Sequence, residues 1–358
     1  MKIHITRPYK NNNNNLGGLW KATQDISEAI TQIGGHEIGL YQYQSDETFE
    51  QLQPRMDGII AGIERGDVLI IQYAEWLNSR TFHEALLTKA KAYGATVIMW
   101  IHDVDCYLTG QELATTRVDY FNRFDAIVAH TEPMKKMLIR DGVTTKIVTL
   151  GIFDYLTEAK YVEPTFSKEI TLVTGSPNKS GFVNKWNSKY QLNVYAPNRA
   201  VPYEFENRKN VVYKGQVASN LIPFEIHSGF GIVWFENEEQ TIKAWLPNGK
   251  PAVILGDLGE DYSKINAAHK ISSYFAAGIP LIVKSNLAQA EMIKKNDLGL
   301  IVDSIEDIDD VLSKVTAEDY SRMTSSVHSI HDLVTNGFFT IRAVDRALQA
   351  LMVEGGEF

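Results

Sequence analysis

Apolar positions fall in short runs separated by longer stretches with helical spacing, and this alternation begins at the first residues. Ile3–Thr6 reads as a strand, a polar loop carries five consecutive asparagines and Leu16-Gly17-Gly18, and a helical stretch runs from about Leu19 to Ile33. The same order repeats. Further strands are expected at His36–Tyr41, Asp67–Gln72, Thr96–Ile101, Ala126–His130 and Lys146–Thr149, with helices near Phe49–Ala61, Thr81–Tyr93, Gln111–Phe121 and Glu132–Asp141. Strands alternating with helices imply a parallel sheet covered on both faces. Gly151 to Pro164 breaks the rhythm, and a second series follows: Ile170–Thr174, Leu192–Tyr195, Val211–Tyr213, Gly231–Phe235, Pro280–Val283 and Gly299–Val302, with helices such as Ile271–Ala277 and Ala288–Lys295. The expectation is an α/β chain of two doubly wound domains, residues 1–155 and 156–338. A final helix at about 339–352 has a docking side that periodicity does not reveal. Glu236 to Asp261 interrupts the second series and reads as an insertion or long loop.

Composition narrows the function. The chain of 358 residues carries 35 Lys and Arg against 44 Asp and Glu, a net charge of -9, which argues against nucleic-acid binding. One cysteine, Cys106, excludes an intrachain disulfide and a Cys-built zinc site and fits a reducing compartment, so the protein reads as cytoplasmic. The N-terminus lacks the apolar core of a signal peptide, and no apolar run approaches the ~20 residues that span a bilayer.

Three places could carry chemistry. In the run from His269 through Val283, Ile271, Tyr274 and Phe275 share a helical face and Gly278 suits the helix end, but Lys270 in the first turn opposes the helix dipole at a cost of up to ~1 kcal/mol. A bound anion would explain it, since a helix N-terminus with a lysine is a ready phosphate site; a solvated surface lysine is the alternative. Gly175-Ser176-Pro177-Asn178-Lys179-Ser180-Gly181 follows the first strand of the second series, where open α/β sheets bind ligands, so Asn178 and Lys179 are further candidates beside the reading of a plain turn. No G-x-G-x-x-G or Walker A pattern occurs. Gly17 and Gly18 after the first strand would allow a ligand close to backbone. His102 and Asp103 follow the strand Thr96–Ile101, and either is suited to take a proton from an acceptor hydroxyl, or Asp103 caps the next turn. Asp103-Val104-Asp105 is also a D-x-D spacing that can hold a divalent cation, a reading ranked below the base. The carboxylates of Glu236-Asn237-Glu238-Glu239 orient substrate or form a solvated loop. The other histidines show no metal-ligand spacing.

Several segments taken together resemble a known family: Met56-Asp57-Gly58-Ile59-Ile60-Ala61-Gly62 with Gly66-Asp67-Val68, Ile101-His102-Asp103-Val104, Gly229 through Trp234, Lys270 through Pro280, and Asn336-Gly337-Phe338-Phe339-Thr340. Nearly the whole chain is similar to the bacterial GT-B glucosyltransferases that extend the first sugar on serine-rich-repeat adhesins. The resemblance implies two Rossmann-like domains facing a cleft, a UDP-sugar held mainly by the C-terminal domain, no metal, no cofactor, and a homo-oligomer such as a dimer or tetramer. It implies that Lys270 contacts the donor phosphates and Tyr213 lies beside the nucleotide. Lys179 stands where the family has an arginine, which keeps the charge and loses the bidentate fork. His269 replaces an aromatic residue, the Glu236–Asp261 stretch is longer than in the family, and the second aspartate of the D-x-D is no part of the family motif. The expected activity is inverting transfer of glucose from UDP-glucose to a GlcNAc-modified serine-rich glycoprotein, with Asp103, together with His102, activating the acceptor hydroxyl. Alternatives are a galactofuranosyl- or GlcNAc-transferase of exopolysaccharide synthesis, a UDP-sugar epimerase, or a catalytically silent transferase partner.

Overall fold

The computed structural model describes residues 1–9, 18–41, 47–74, 79–108, 110–175, 180–197, 209–236, 242–245, 251–254 and 258–352. The chain divides into two compact units, residues 1–156 with 336–358, and residues 157–335.

In the first unit the elements run β1 (Ile3–Tyr9), α1 (Gly18–Gln32), β2 (His36–Tyr41), α2 (Phe49–Ile59), β3 (Val68–Tyr73), α3 (Arg80–Ala92), β4 (Thr96–Ile101), α4 (Asp105–Leu108), α5 (Thr115–Phe121), β5 (Ala126–Ala129), α6 (Glu132–Arg140) and β6 (Lys146–Thr149). The six strands form one parallel sheet in the order β2-β1-β3-β4-β5-β6. β3 is buried at every position, as a central strand covered by helices on both faces must be. The helices start where side chains can cap them: Thr48 closes a capping box with Gln51, and Ser79 and Thr131 accept from Phe82 and Met134. The helix expected from Gln111 begins only at Thr115. The Leu113 N–H is drawn to the Asp141 carboxylate at 3.0 Å, and Ala114 takes the extended N-cap conformation.

The second unit contains β7 (Thr165–Val173), β8 (Leu192–Tyr195), β9 (Val211–Gly215), α7 (Ile222–Glu225), β10 (Ser228–Val233), β11 (Ile242–Trp245), β12 (Pro251–Ile254), α8 (Leu258–Ser263), α9 (His269–Ala276), β13 (Leu281–Lys284), α10 (Ala290–Lys295), β14 (Gly299–Val302), α11 (Ile308–Lys314) and α12 (Ala317–Thr335). Its parallel sheet has the order β14-β13-β10-β7-β8-β9, and β11 and β12 pair separately as an antiparallel ribbon inside the Glu236–Asp261 stretch. The core beneath this sheet joins Phe182, Trp186, Phe230, Trp234 and Tyr320 with aliphatic residues of the strands. Gly231 has no room for a side chain: a Cβ there would lie 2.4 Å from Cγ of Tyr274. The buried Tyr274 hydroxyl uses that closeness, donating to the Thr171 carbonyl and accepting from the Val173 N–H, each at 2.9 Å.

The last helix, α13 (Phe338–Met352), belongs to the first unit. Asp154 anchors it, its buried carboxylate accepting from the N–H groups of Phe339 at 3.1 Å and Thr340 at 2.6 Å. Gly337, at φ +80°, brings the helix start against α1, where a Cβ would sit 2.6 Å from that of Ala29. The carbonyl of Leu156, the last residue before the crossing, accepts from the Lys21 ammonium at 2.6 Å, and Lys21 also pairs with buried Asp25.

Candidate active site

In a doubly wound sheet, ligands bind outside the carboxyl ends of the strands, where the strand order reverses. In the first unit that point lies between β1 and β3. The pairing of these strands covers Ile3–Ile5 against Val68–Ile70. Beyond it, the Gln72 N–H donates to the Thr6 hydroxyl at 2.9 Å, and the Gln72 amide donates to the carbonyls of Thr6 at 2.7 Å and Thr23 at 3.0 Å. The Gln72 Oε1 then meets Nε2 of His102 at 2.8 Å. His102 follows β4, its N–H bonded to the Tyr73 carbonyl at 2.8 Å. Only 3% of it is exposed, and its ring lies parallel to Phe153 with centroids 6.1 Å apart. His130, at the end of β5, meets the edge of Phe153 and bonds the Ile101 carbonyl at 3.0 Å; burial pushes its imidazole down to about 4, so it stays neutral.

Asp103 is half-buried beside His102. Asp105 opens the short helix α4, and burial raises its carboxyl above the usual range. Gly18 is the exposed first residue of α1, whereas Gly17 lies outside the described residues.

In the second unit the order reverses between β7 and β10. The segments leaving these strands are tied together: Ser180 bridges Glu236, and the Gly181 N–H donates to the Glu236 carbonyl at 2.7 Å. The Glu236 carboxylate pairs with Lys185 at 2.9 Å, so this member of the expected acidic cluster holds a turn; Asn237, Glu238 and Glu239 lie outside the described residues. α9 begins next to this edge. Its N-cap, Ala268, offers no side-chain acceptor, and Ile271 through Ala276 are all buried. His269 and Lys270 form the half-buried first turn, with the Lys270 ammonium 4.7 Å from the centroid of Phe235, the second residue after β10. Tyr213 sits on the edge strand β9, two strands from the reversal; its hydroxyl donates to the Ala196 carbonyl at 2.8 Å and its ring packs on the core. Asn178 and Lys179 lie outside the described residues.

Two residues at these edges escape sequence reasoning. Lys284, the last residue of β13, lays its ammonium 5.2 Å from the ring of Trp234, so two lysines cover two consecutive aromatic residues. Gln72 is the other. Its signal was available: an amide in the otherwise apolar run Val68-Leu69-Ile70-Ile71 of a buried strand must find partners for two donors and an acceptor.

The arrangement separates two chemistries, an oriented imidazole at one edge and lysines with a helix N-terminus at the other. The glucosyltransferase 3-like N-terminal domain profile matches residues 2–152, and the C-terminal domain profile of the same family matches residues 171–347. The chain belongs to the glucosyltransferase 3-like family. Glucosyltransferase 3 of Streptococcus gordonii is 29% identical over 98% of this chain and 100% of its own, and that of Streptococcus parasanguinis is 28% identical over 97% and 98%. A beta-1,6-galactofuranosyltransferase of Escherichia coli (strain K12) is 23% identical over 80% of each chain. Among solved structures, a sucrose-phosphate synthase of Thermosynechococcus elongatus superposes with TM-score 0.60 at 10% identity, covering 99% of this chain and 100% of that one. An alpha-glucosyltransferase in complex with UDP does so at 0.58, with 11% identity and the same coverage. The fold is GT-B and the protein is a glycosyltransferase.

Proposed function

We propose that this family member transfers glucose from UDP-glucose to a GlcNAc-bearing serine-rich glycoprotein, with inversion and without a metal. The observation that carries the donor half is Lys270, a half-buried cation in the uncapped first turn of α9 at the carboxyl edge of the second sheet. There its ammonium and the positive end of the helix dipole oppose the charge that develops on the departing diphosphate. Lys179 and Asn178, which follow β7 in sequence, and Tyr213 and His269 complete the donor set of this reading, with Gly17 and Gly18 giving a ligand access to backbone. The similarity to two glucosyltransferases along nearly their full length supports glucose.

In the reaction the acceptor hydroxyl attacks C1 of the glucose as the bond from C1 to the UDP oxygen breaks, and the bonding electrons leave with UDP. His102 takes the hydroxyl proton, with Asp103 beside it. Direct attack inverts C1. The protein works in the cytoplasm as a homo-oligomer in this reading. The galactofuranosyltransferase relative favours a second donor class, UDP-galactofuranose. UDP release from a panel of UDP-sugars, with and without a GlcNAc-bearing peptide and in EDTA, separates the two. Release from UDP-glucose that rises with the peptide and survives EDTA is expected; release only from UDP-galactofuranose, or dependence on a metal, would replace the reading.

A further inference from the structure

Gln72 Nε2 has two hydrogens, and both are committed, to the carbonyls of Thr6 and Thr23. Carbonyls only accept, so the amide cannot flip without losing both bonds, and Oε1 is the atom that faces His102. An amide oxygen accepts only, so the imidazole must present N–H at Nε2. A neutral ring protonated there carries its lone pair on Nδ1. The lock extends into the backbone, because Gln72 spans the place where β1 and β3 part and Thr6 and Thr23 are almost fully buried.

We propose that Gln72 is the positioning residue of the transfer reaction, fixing the tautomer and ring orientation of His102 so that Nδ1 is the atom that receives the acceptor proton. The inference rests on the reading of His102 as the base. Phe153 from the segment after β6 is apolar, and His130 after β5 is neutral and bonded to the backbone, while Asp103 is the next residue in the chain. The amide fixes Nε2 as a donor without adding a charge beside the ring, whereas a carboxylate in its place would favour the imidazolium.

The test pairs kinetics with a direct view of the ring. In protein with 15N-labelled histidine, His102 is expected to show a bare Nδ1 and a protonated Nε2; the opposite tautomer in the unaltered protein would overturn the inference. Gln72→Met, of similar volume, is expected to mix the two tautomers and lower kcat about tenfold or more while KM for UDP-glucose stays within about twofold. Gln72→Glu keeps an acceptor at Nε2 and adds a negative charge, so it should retain the tautomer and move the acidic limb of kcat/KM upward by about one pH unit. A purely structural glutamine would lower stability in both variants without touching tautomer or pH profile, and that result would overturn the proposal even if one variant fails to fold. His102→Gln distinguishes the two levels. If it turns over like the parent, the base reading falls and this inference with it; if it is inactive and Gln72→Glu shows the parental profile, only the role of Gln72 falls.

Discussion

At the carboxyl edge of the first sheet the candidate base, His102, is buried and held by directed hydrogen bonds, whereas at the edge of the second sheet half-exposed cations lie on aromatic rings. His102 is held by Gln72, Gln72 by Thr6 and Thr23, and Phe153 covers the ring. Lys270 and Lys284 rest instead on Phe235 and Trp234. The difference fits the proposed tasks. Proton transfer depends on which nitrogen bears the lone pair, so the ring must be fixed; a diphosphate needs positive potential and tolerates a flexible ammonium.

The comparison breaks most visibly at its two centres. His102→Gln should lower kcat about 10²- to 10⁴-fold, the usual contribution of a general base, as followed by UDP release at saturating donor. Lys270→Ala should weaken UDP binding about 10- to 100-fold by calorimetry, the range for a hydrogen bond to a charged group. Gly231→Ala sharpens the contrast between rigid core and adaptable site. The added Cβ has no room beside buried Tyr274, and thermal unfolding should show a loss of about 1–3 kcal/mol.

His83 tests whether burial alone explains a neutral histidine in the first unit. Both its ring nitrogens lack a hydrogen-bond partner, and burial pushes the imidazole down to about 4. A depressed folded value means that stability is full above the unfolded value of about 6.5 and is lost as pH falls from there toward 4. His83→Leu should therefore gain about 1–2 kcal/mol at pH 7 and reduce the loss of stability between those two values. Asp25 runs the other way: burial raises its carboxyl to about 7, so its stabilising share is lost as pH rises from 3.8 to 7. The smallest effect is expected at Lys284, where Lys284→Met should weaken UDP binding by about twofold to threefold, because a half-exposed cation is partly screened by solvent.

The strands were legible because a buried parallel strand is a short apolar run, as in Val97–Ile101 or Leu281–Val283, and each such run lies in a strand. The position of Lys270 was legible because a cation in the first turn of a helix contradicts the dipole, and it does lie in the first turn of α9. The docking of α13 was not, since it depends on Asp154, distant in sequence, reaching two backbone N–H groups. Nor was Tyr213 legible in detail: its spacing does not tell that the hydroxyl donates to the Ala196 carbonyl and that the ring packs on the core. Gln72 shows the same limit. Its presence in an apolar strand signals a polar contact, but only the fold reveals that the contact is His102.

The most direct test of the division between the two edges is calorimetry of UDP on the parent, His102→Gln and Lys270→Ala proteins side by side. The account predicts that His102→Gln binds UDP like the parent and Lys270→Ala binds it at least about tenfold more weakly. Parental affinity in Lys270→Ala together with lost affinity in His102→Gln would contradict it, and would move the diphosphate to the first sheet.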